Sequence, residues 1–260
     1  MSAYPSARAE RLSALREEVR AIGATASGAA RAVLPFGLET LDARLADGGL
    51  ATGGLHEIAG ATCAIADDAA ATLFVAGIAA RAGGARANML WAFGRRDLFA
   101  PGLAQAGLGP NRLIHAEAGR DPDILAVMEE GLRHGGLCAV IGEVGRIGMT
   151  ATRRLQLAAE EGGTIALLLR RWRPRSSAAD ADPLTEPSAA TTRWRIACAP
   201  SEPLPVPGVG RPRWHVDLVR QRGGEPFSCI LGGCDAEGRL ALPTESRDRS
   251  PAPRRRRRAA

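Results

Sequence analysis

The residues 55–83, LHEIAGATCAIADDAAATLFVAGIAARAG, have the outline of a phosphate-binding loop: an apolar strand, a glycine, a short loop and a long helix. A working loop of this kind reads G-x-x-x-x-G-K-[ST]. Its glycines let backbone N–H groups face the phosphates, its lysine neutralises the β/γ charge, and its hydroxyl binds Mg²⁺. Laid from Gly60, that spacing puts Ile65 at the second glycine, Ala66 at the lysine and Asp67 at the hydroxyl. All three functions are lost. Asp67 and Asp68 also place carboxylates at a helix N-terminus, where the dipole would otherwise attract phosphate. They read as a cap that would repel a nucleotide.

Other parts of a nucleotide-hydrolysing site are equally incomplete. The apolar run LCAVIGE ends in Glu143, where a Mg²⁺-organising acid would stand, but an apolar strand followed by an acid recurs in many unrelated sequences. After NMLWAFG, where a catalytic base is expected, the chain has Arg95, Arg96 and Asp97, and an arginine is always protonated. The 34 basic residues are all arginine, so no lysine is present for phosphate binding, Schiff-base formation or general-base catalysis. His56, His115, His134 and His215 have no metal-ligand spacing, G-x-S-x-G is absent, and His56-Glu57 lacks the second histidine of H-E-x-x-H. The residues therefore predict no catalytic set, no metal and no cofactor.

The elements around these residues alternate. Short apolar runs at 54–58, 88–92, 113–116, 137–141 and 164–169 read as strands, and 67–83, 99–107, 121–134 and 149–161 as helices, which implies a parallel sheet with crossover helices. RWRIACA (193–199) and RWHVDLVRQR (213–222) alternate apolar and polar residues and lead into a half-exposed antiparallel end. Between the two halves, 170–193 has three prolines and almost no large apolar residue, which predicts a long mobile loop. It opens with Arg170, Arg171, Arg173 and Arg175 around Trp172, a set able to combine phosphate contacts with base stacking or to be a solvated basic segment.

Both ends differ from this body. Leu12, Leu15, Val19 and Ile22 repeat at helical spacing among Arg and Glu, and a small-residue stretch follows. Such a helix either folds back on its own core or docks on another protomer or partner, so the stripe is a candidate partner-binding surface. At the other end, SRDRSPAPRRRRRAA carries the whole net charge of +6, with Arg254, Arg255, Arg256, Arg257 and Arg258 in one run. Its composition predicts a disordered tail, which is either a solvated appendage or a weak, salt-sensitive hold on DNA or RNA. The organisation expected is 1–33 as helix and linker, 34–245 as the domain and 246–260 as the tail. No apolar run reaches membrane-spanning length, so a cytoplasmic protein is expected, with its five cysteines reduced and mostly buried.

The order of parts resembles the RecA-like core and, more narrowly, the ImuA family of bacterial inducible-mutagenesis cassettes. FGLETLDARLADGGLATGGLHEIAG (36–60), MLWAFGRRDLFAPGLAQAGL (89–108), AVIGEVGRIGMTATRRLQLAAEEGGTIALLLR (139–170) and RPRWHVDLVRQRGGEPFSCIL (211–231) carry the resemblance, which spans roughly 34–243. It implies a RecA-like α/β fold, mostly parallel with antiparallel strands at its C-terminal end. Residues 145–149 and 170–193 correspond to the DNA-facing segments of RecA-like proteins, and Arg170 replaces the nucleotide-sensing glutamine. The resemblance further implies a non-catalytic accessory protein in damage-induced translesion synthesis. Its expected partners are a Y-family-polymerase-like protein of the ImuB type, RecA and an error-prone replicative polymerase, with homo-oligomers also possible. A SulA-like cell-division inhibitor and a DNA-dependent RecA-like ATPase are the alternatives.

Overall fold

The computed structural model describes residues 32–83, 87–172, 182–201, 204 and 207–243. The stripe of Leu12, Leu15, Val19 and Ile22, Arg173 and Arg175, and Arg254 to Arg258 lie outside the described residues.

A two-stranded ribbon, β1 (Val33–Leu34) with β2 (Leu50–Ala51), flanks a short helix α1 (Glu39–Asp42) and leads into the main sheet. There follow β3 (Leu55–Gly60), α2 (Ile65–Arg81), β4 (Met89–Phe93), α3 (Ala100–Gln105), β5 (Leu113–Glu117), α4 (Asp121–His134), β6 (Ala139–Val144), α5 (Met149–Gly162) and β7 (Ile165–Arg170). The chain ends in β8 (Thr192–Ala199), β9 (Arg213–Gln221) and β10 (Phe227–Gly232). The sheet order is β10-β9-β8-β3-β7-β6-β4-β5; every pairing from β8 to β5 is parallel, and β8-β9-β10 is antiparallel. Near-continuous apolar runs such as IALLLR belong to strands buried on both faces, and alternating ones such as RWHVDLVRQ to strands buried on one.

Two cores flank the sheet. Ile58, Phe74, Ile78, Trp91, Leu167, Trp194 and Trp214 fill the α2 side, and Leu55, Ile124, Met128, Leu132, Val140, Leu155 and Leu168 the α4–α5 side. Gly142 lets α4 approach β6, since a Cβ there would lie 2.1 Å from the Met128 sulfur. The central strand β3 carries two polar residues into these cores. His56 is fully buried, its Nε2 donating to the Ala51 carbonyl at 2.9 Å and its Nδ1 accepting from the Thr192 hydroxyl at 2.7 Å. Burial drives its pKa down to about 4, so the ring is neutral. Glu57 points to the opposite face, where Arg193 Nε lies 2.7 Å and Arg170 Nη1 3.3 Å from its carboxylate.

That charge set anchors the described second half of the segment expected to be a mobile loop over 170–193; residues 173–181 lie outside the described residues. Residues 182–191 pack along α5, with Leu184, Ser188 and Ala190 buried. Ser188 Oγ donates to Glu57 at 2.9 Å, Glu186 accepts from Arg170 at 2.7 Å, and the Ala189 amide donates to Thr152 Oγ1 at 3.1 Å. Polar bonding, which a count of large apolar residues does not register, holds the segment. The cysteines differ as well: Cys63 and Cys198 are exposed and the other three half-buried. Among the described residues no helix is long and apolar enough to cross a membrane.

Candidate functional site: a closed phosphate-loop position

The loop between β3 and α2 stands at the C-terminal edge of the parallel strands, where α/β sheets bind ligands. Gly60 sits against the start of α2; a Cβ there would lie 3.0 Å from the Asp67 carbonyl carbon. Beyond it the loop is tied to β8. The Ala61 amide donates to the Ile196 carbonyl at 2.8 Å, the Thr62 hydroxyl to Asp67 Oδ2 at 2.6 Å, and the Cys198 amide to Asp67 Oδ1 at 2.8 Å. Asp67, at the position of the Mg²⁺-binding hydroxyl, is thus a buried brace. Ile65 and Ala66, at the second-glycine and lysine positions, point to solvent.

The charges that would face a nucleotide are matched from within. Arg171, one residue past β7, brings Nη1 to 2.7 Å from Asp68 in the first turn of α2 and to 2.8 Å from Thr72 Oγ1. Its Nε and Nη2 both lie 2.9 Å from Glu143 Oε2, and the Trp91 indole donates to Glu143 Oε1 at 2.7 Å. Trp172 then crosses the loop, its indole N–H donating to the Gly60 carbonyl at 2.8 Å. Burial pushes the Glu143 carboxyl above the usual carboxylate range, and Arg171 and Trp91 oppose that rise. Burial likewise disfavours the Arg171 charge, but Glu143 and Asp68 outweigh it and raise its pKa above the ordinary arginine value. One guanidinium therefore joins the acid near the end of β6 to the acid at the start of α2.

This geometry turns Arg170 and Arg171, two of the arginine-loop residues expected to touch nucleic acid, toward carboxylates of the chain itself and ties a third, Trp172, to the loop. Arg170 is fully buried, held by Glu57, Glu186 and the Gly145 carbonyl at 3.2 Å. Arg171 is engaged in the clamp, and the half-buried Trp172 spends its N–H on Gly60. A strand-buried guanidinium cannot reach a phosphate without breaking its own ion pairs. In the turn over 145–149, Arg146 and Gly148 are exposed while Gly145 and Ile147 are buried, and Arg146, Ile147, Gly148 and Met149 line a cavity of about 380 Å³ with Glu186 and Pro187. At the position of a catalytic base, Arg95, Arg96 and Asp97 are exposed, and Arg96 pairs with Glu117 at 2.5 Å. Among the described residues no group of His, Cys, Asp and Glu is arranged to hold a metal.

No family model matches the sequence. A protein named ImuA from Caulobacter vibrioides, carried by strains NA1000 / CB15N and ATCC 19089 / CB 15 alike, is 41% identical over 210 residues, which cover 78% of this chain and 84% of that protein. The chain belongs to the ImuA family. Its fold is RecA-like: the crystal structure of the RadB recombinase superposes with a TM-score of 0.54 at 16% identity, covering 81% of this chain and 100% of RadB. In this ImuA-family protein the Arg171 clamp is the feature reasoning from sequence missed. Its signal was present in two acids, Asp68 and Glu143, converging on a lysine-free site and in need of a cation from elsewhere in the chain.

Proposed function

We propose that this ImuA-family protein is a non-catalytic, RecA-like scaffold in DNA-damage-induced mutagenesis, which docks a Y-family-polymerase-like partner of the ImuB type and works without ATP. The observation that carries this reading is the Arg171 clamp. Arg171 holds Asp68 at 2.7 Å and Glu143 at 2.9 Å, so the position where a RecA-like ATPase gathers Mg²⁺ and phosphate is filled by the protein's own cation. Opening it for a nucleotide would strand two carboxylates beside a triphosphate, with no lysine to neutralise either. A fold that retains its sheet and both cores while closing its nucleotide site keeps the capacity to present surfaces, and kinship to a protein named ImuA supports a use of that capacity in mutagenesis, which we read as translesion synthesis. The exposed Arg146, in the turn before α5, is one surface available for partners, RecA and a replicative polymerase among them.

The test is capture from DNA-damaged cells with the tagged full-length chain. Recovery of a Y-family-polymerase-like protein, unaffected by ATP depletion and by Arg171→Met, is expected. Recovery of the division tubulin homologue in its place would favour a cell-division inhibitor and overturn the reading.

A further inference from the structure

Helix α2 differs from the other long helices. Helices α4 and α5 turn Glu130, Arg133, Arg153, Glu160 and Glu161 to solvent, whereas the only polar side chains in the 17 residues of α2 are Asp67, Asp68, Thr72 and Arg81. A helix apolar on every side belongs in an interior. From Phe74 to Ala80 α2 is buried, but its first turns are open: Ile65 is 88% exposed, Ala66 and Ala69 are exposed, and Leu73 is half-buried. Ile65, Ala69 and Leu73 follow at four-residue spacing and so share one face. Phe99, 71% exposed, extends it, since its ring and Leu73 both stand against Gly102, 3.2 and 3.9 Å from where a Cβ would be. The result is an apolar strip about 12 Å long on the face of the closed phosphate loop.

We propose that this strip is the seat of the chain's own amino-terminal segment, with Leu12, Leu15, Val19 and Ile22 packed on Ile65, Ala69, Leu73 and Phe99. The sequence pattern of 12–22 predicts a single apolar stripe about 15 Å long as a helix, which matches the strip in length and in needing a partner. Reach agrees as well. The chain enters the described structure at Ala32, whose carbonyl accepts from the Thr52 amide at 2.9 Å, and three residues on, the Pro35 carbonyl is bound by Arg81 at the far end of α2. Arg81 lies about 12 Å along the helix from Leu73 and about 24 Å from Ile65. Residues 23–31, rich in glycine and alanine, span about 30 Å when extended, which exceeds the distance along α2 from Arg81 to either end of the strip. Ten residues or fewer of linker also favour the same chain over a second copy, because the effective concentration of so short a tether is in the millimolar range.

Trypsin reads the contact directly, because Arg16 and Arg20 fall inside the stripe. In the full chain, cleavage after these residues is expected to be about tenfold slower than in Leu15→Asp. Ile65→Asp and Phe99→Asp, both at exposed positions, should abolish the protection while leaving the thermal midpoint of the body unchanged. The protection should also be independent of protein concentration. Wild-type cleavage as fast as that of Leu15→Asp, or protection that survives both strip variants, would overturn the proposal. Protection that fades on dilution would overturn the same-chain assignment and give the strip to a second copy.

Discussion

Replacing Arg171 by Met removes the guanidinium but keeps most of its length, which isolates the electrostatic role of the clamp. The side chain of Glu143 is 6% exposed and that of Arg171 18%, so the variant leaves a carboxylate facing protein on nearly every side. Breaking a buried pair by deleting one partner costs about 3–5 kcal/mol. Asp68, at 38% exposure, recovers water, which lowers the expected loss to about 2–3 kcal/mol at pH 8. The pH dependence gives the sharper signature. Burial already raises the Glu143 pKa above its ordinary 4.5, and without Arg171 only the Trp91 N–H opposes that rise. The folded variant then holds a proton where the unfolded chain has lost it, so its stability falls as pH rises through that window. The deficit against wild type should accordingly be smaller at pH 5 than at pH 8. Adding Glu143→Gln should restore about 1–2 kcal/mol, because the stranded charge is gone. Urea unfolding followed by tryptophan fluorescence measures all three proteins. A single variant within 0.5 kcal/mol of wild type at both pH values, or a double variant no more stable than the single, would refute the clamp.

Glu57→Ala should cost about 3–5 kcal/mol and lower the thermal midpoint sharply, since it leaves Arg170 and Arg193 buried without their shared carboxylate; a loss below about 1 kcal/mol would mean that Glu186 alone satisfies the pair. His56, neutral when folded and with a pKa of about 4 against 6.5 for the free side chain, should cost stability as pH falls from 6.5 toward 4, in total about 3 kcal/mol. His56→Gln should lose that slope in acid unfolding, and an unchanged slope would assign it to other groups. With Arg170 and Arg171 turned inward, any single-strand binding would have to rest on the outlying arginines. Deleting residues 253–260 should therefore flatten the slope of log affinity against log salt by about 3, and an intact slope would clear the tail of any role.

The sheet was legible because its signals are local. Apolar runs such as IALLLR and AVIGEV name buried parallel strands, and Asp121 to His134 starts with Asp-Pro-Asp and ends before Gly135 in the left-handed conformation, as a helix should. The residues that stand at the loop positions, Ile65, Ala66 and Asp67, could be read for the same reason, since they are adjacent. What could not be read was where charges separated by tens of residues meet. Arg171 finds Asp68 and Glu143, and Arg170 finds Glu57 and Glu186, only once β7 lies beside β3 and β6. An arginine cluster after a strand looks the same in sequence whether it reaches out for phosphate or in for carboxylates. Glu57, set in the apolar run LHEIAG, was a further hint that a cation had to come inward, beside Asp68 and Glu143.

Isothermal titration of the full chain with ATP·Mg²⁺ tests the central claim most directly, because the clamp and a bound triphosphate require the same space beside Asp68 and Glu143. No heat of binding is expected up to high micromolar nucleotide. Saturable binding with a low-micromolar dissociation constant would contradict the account.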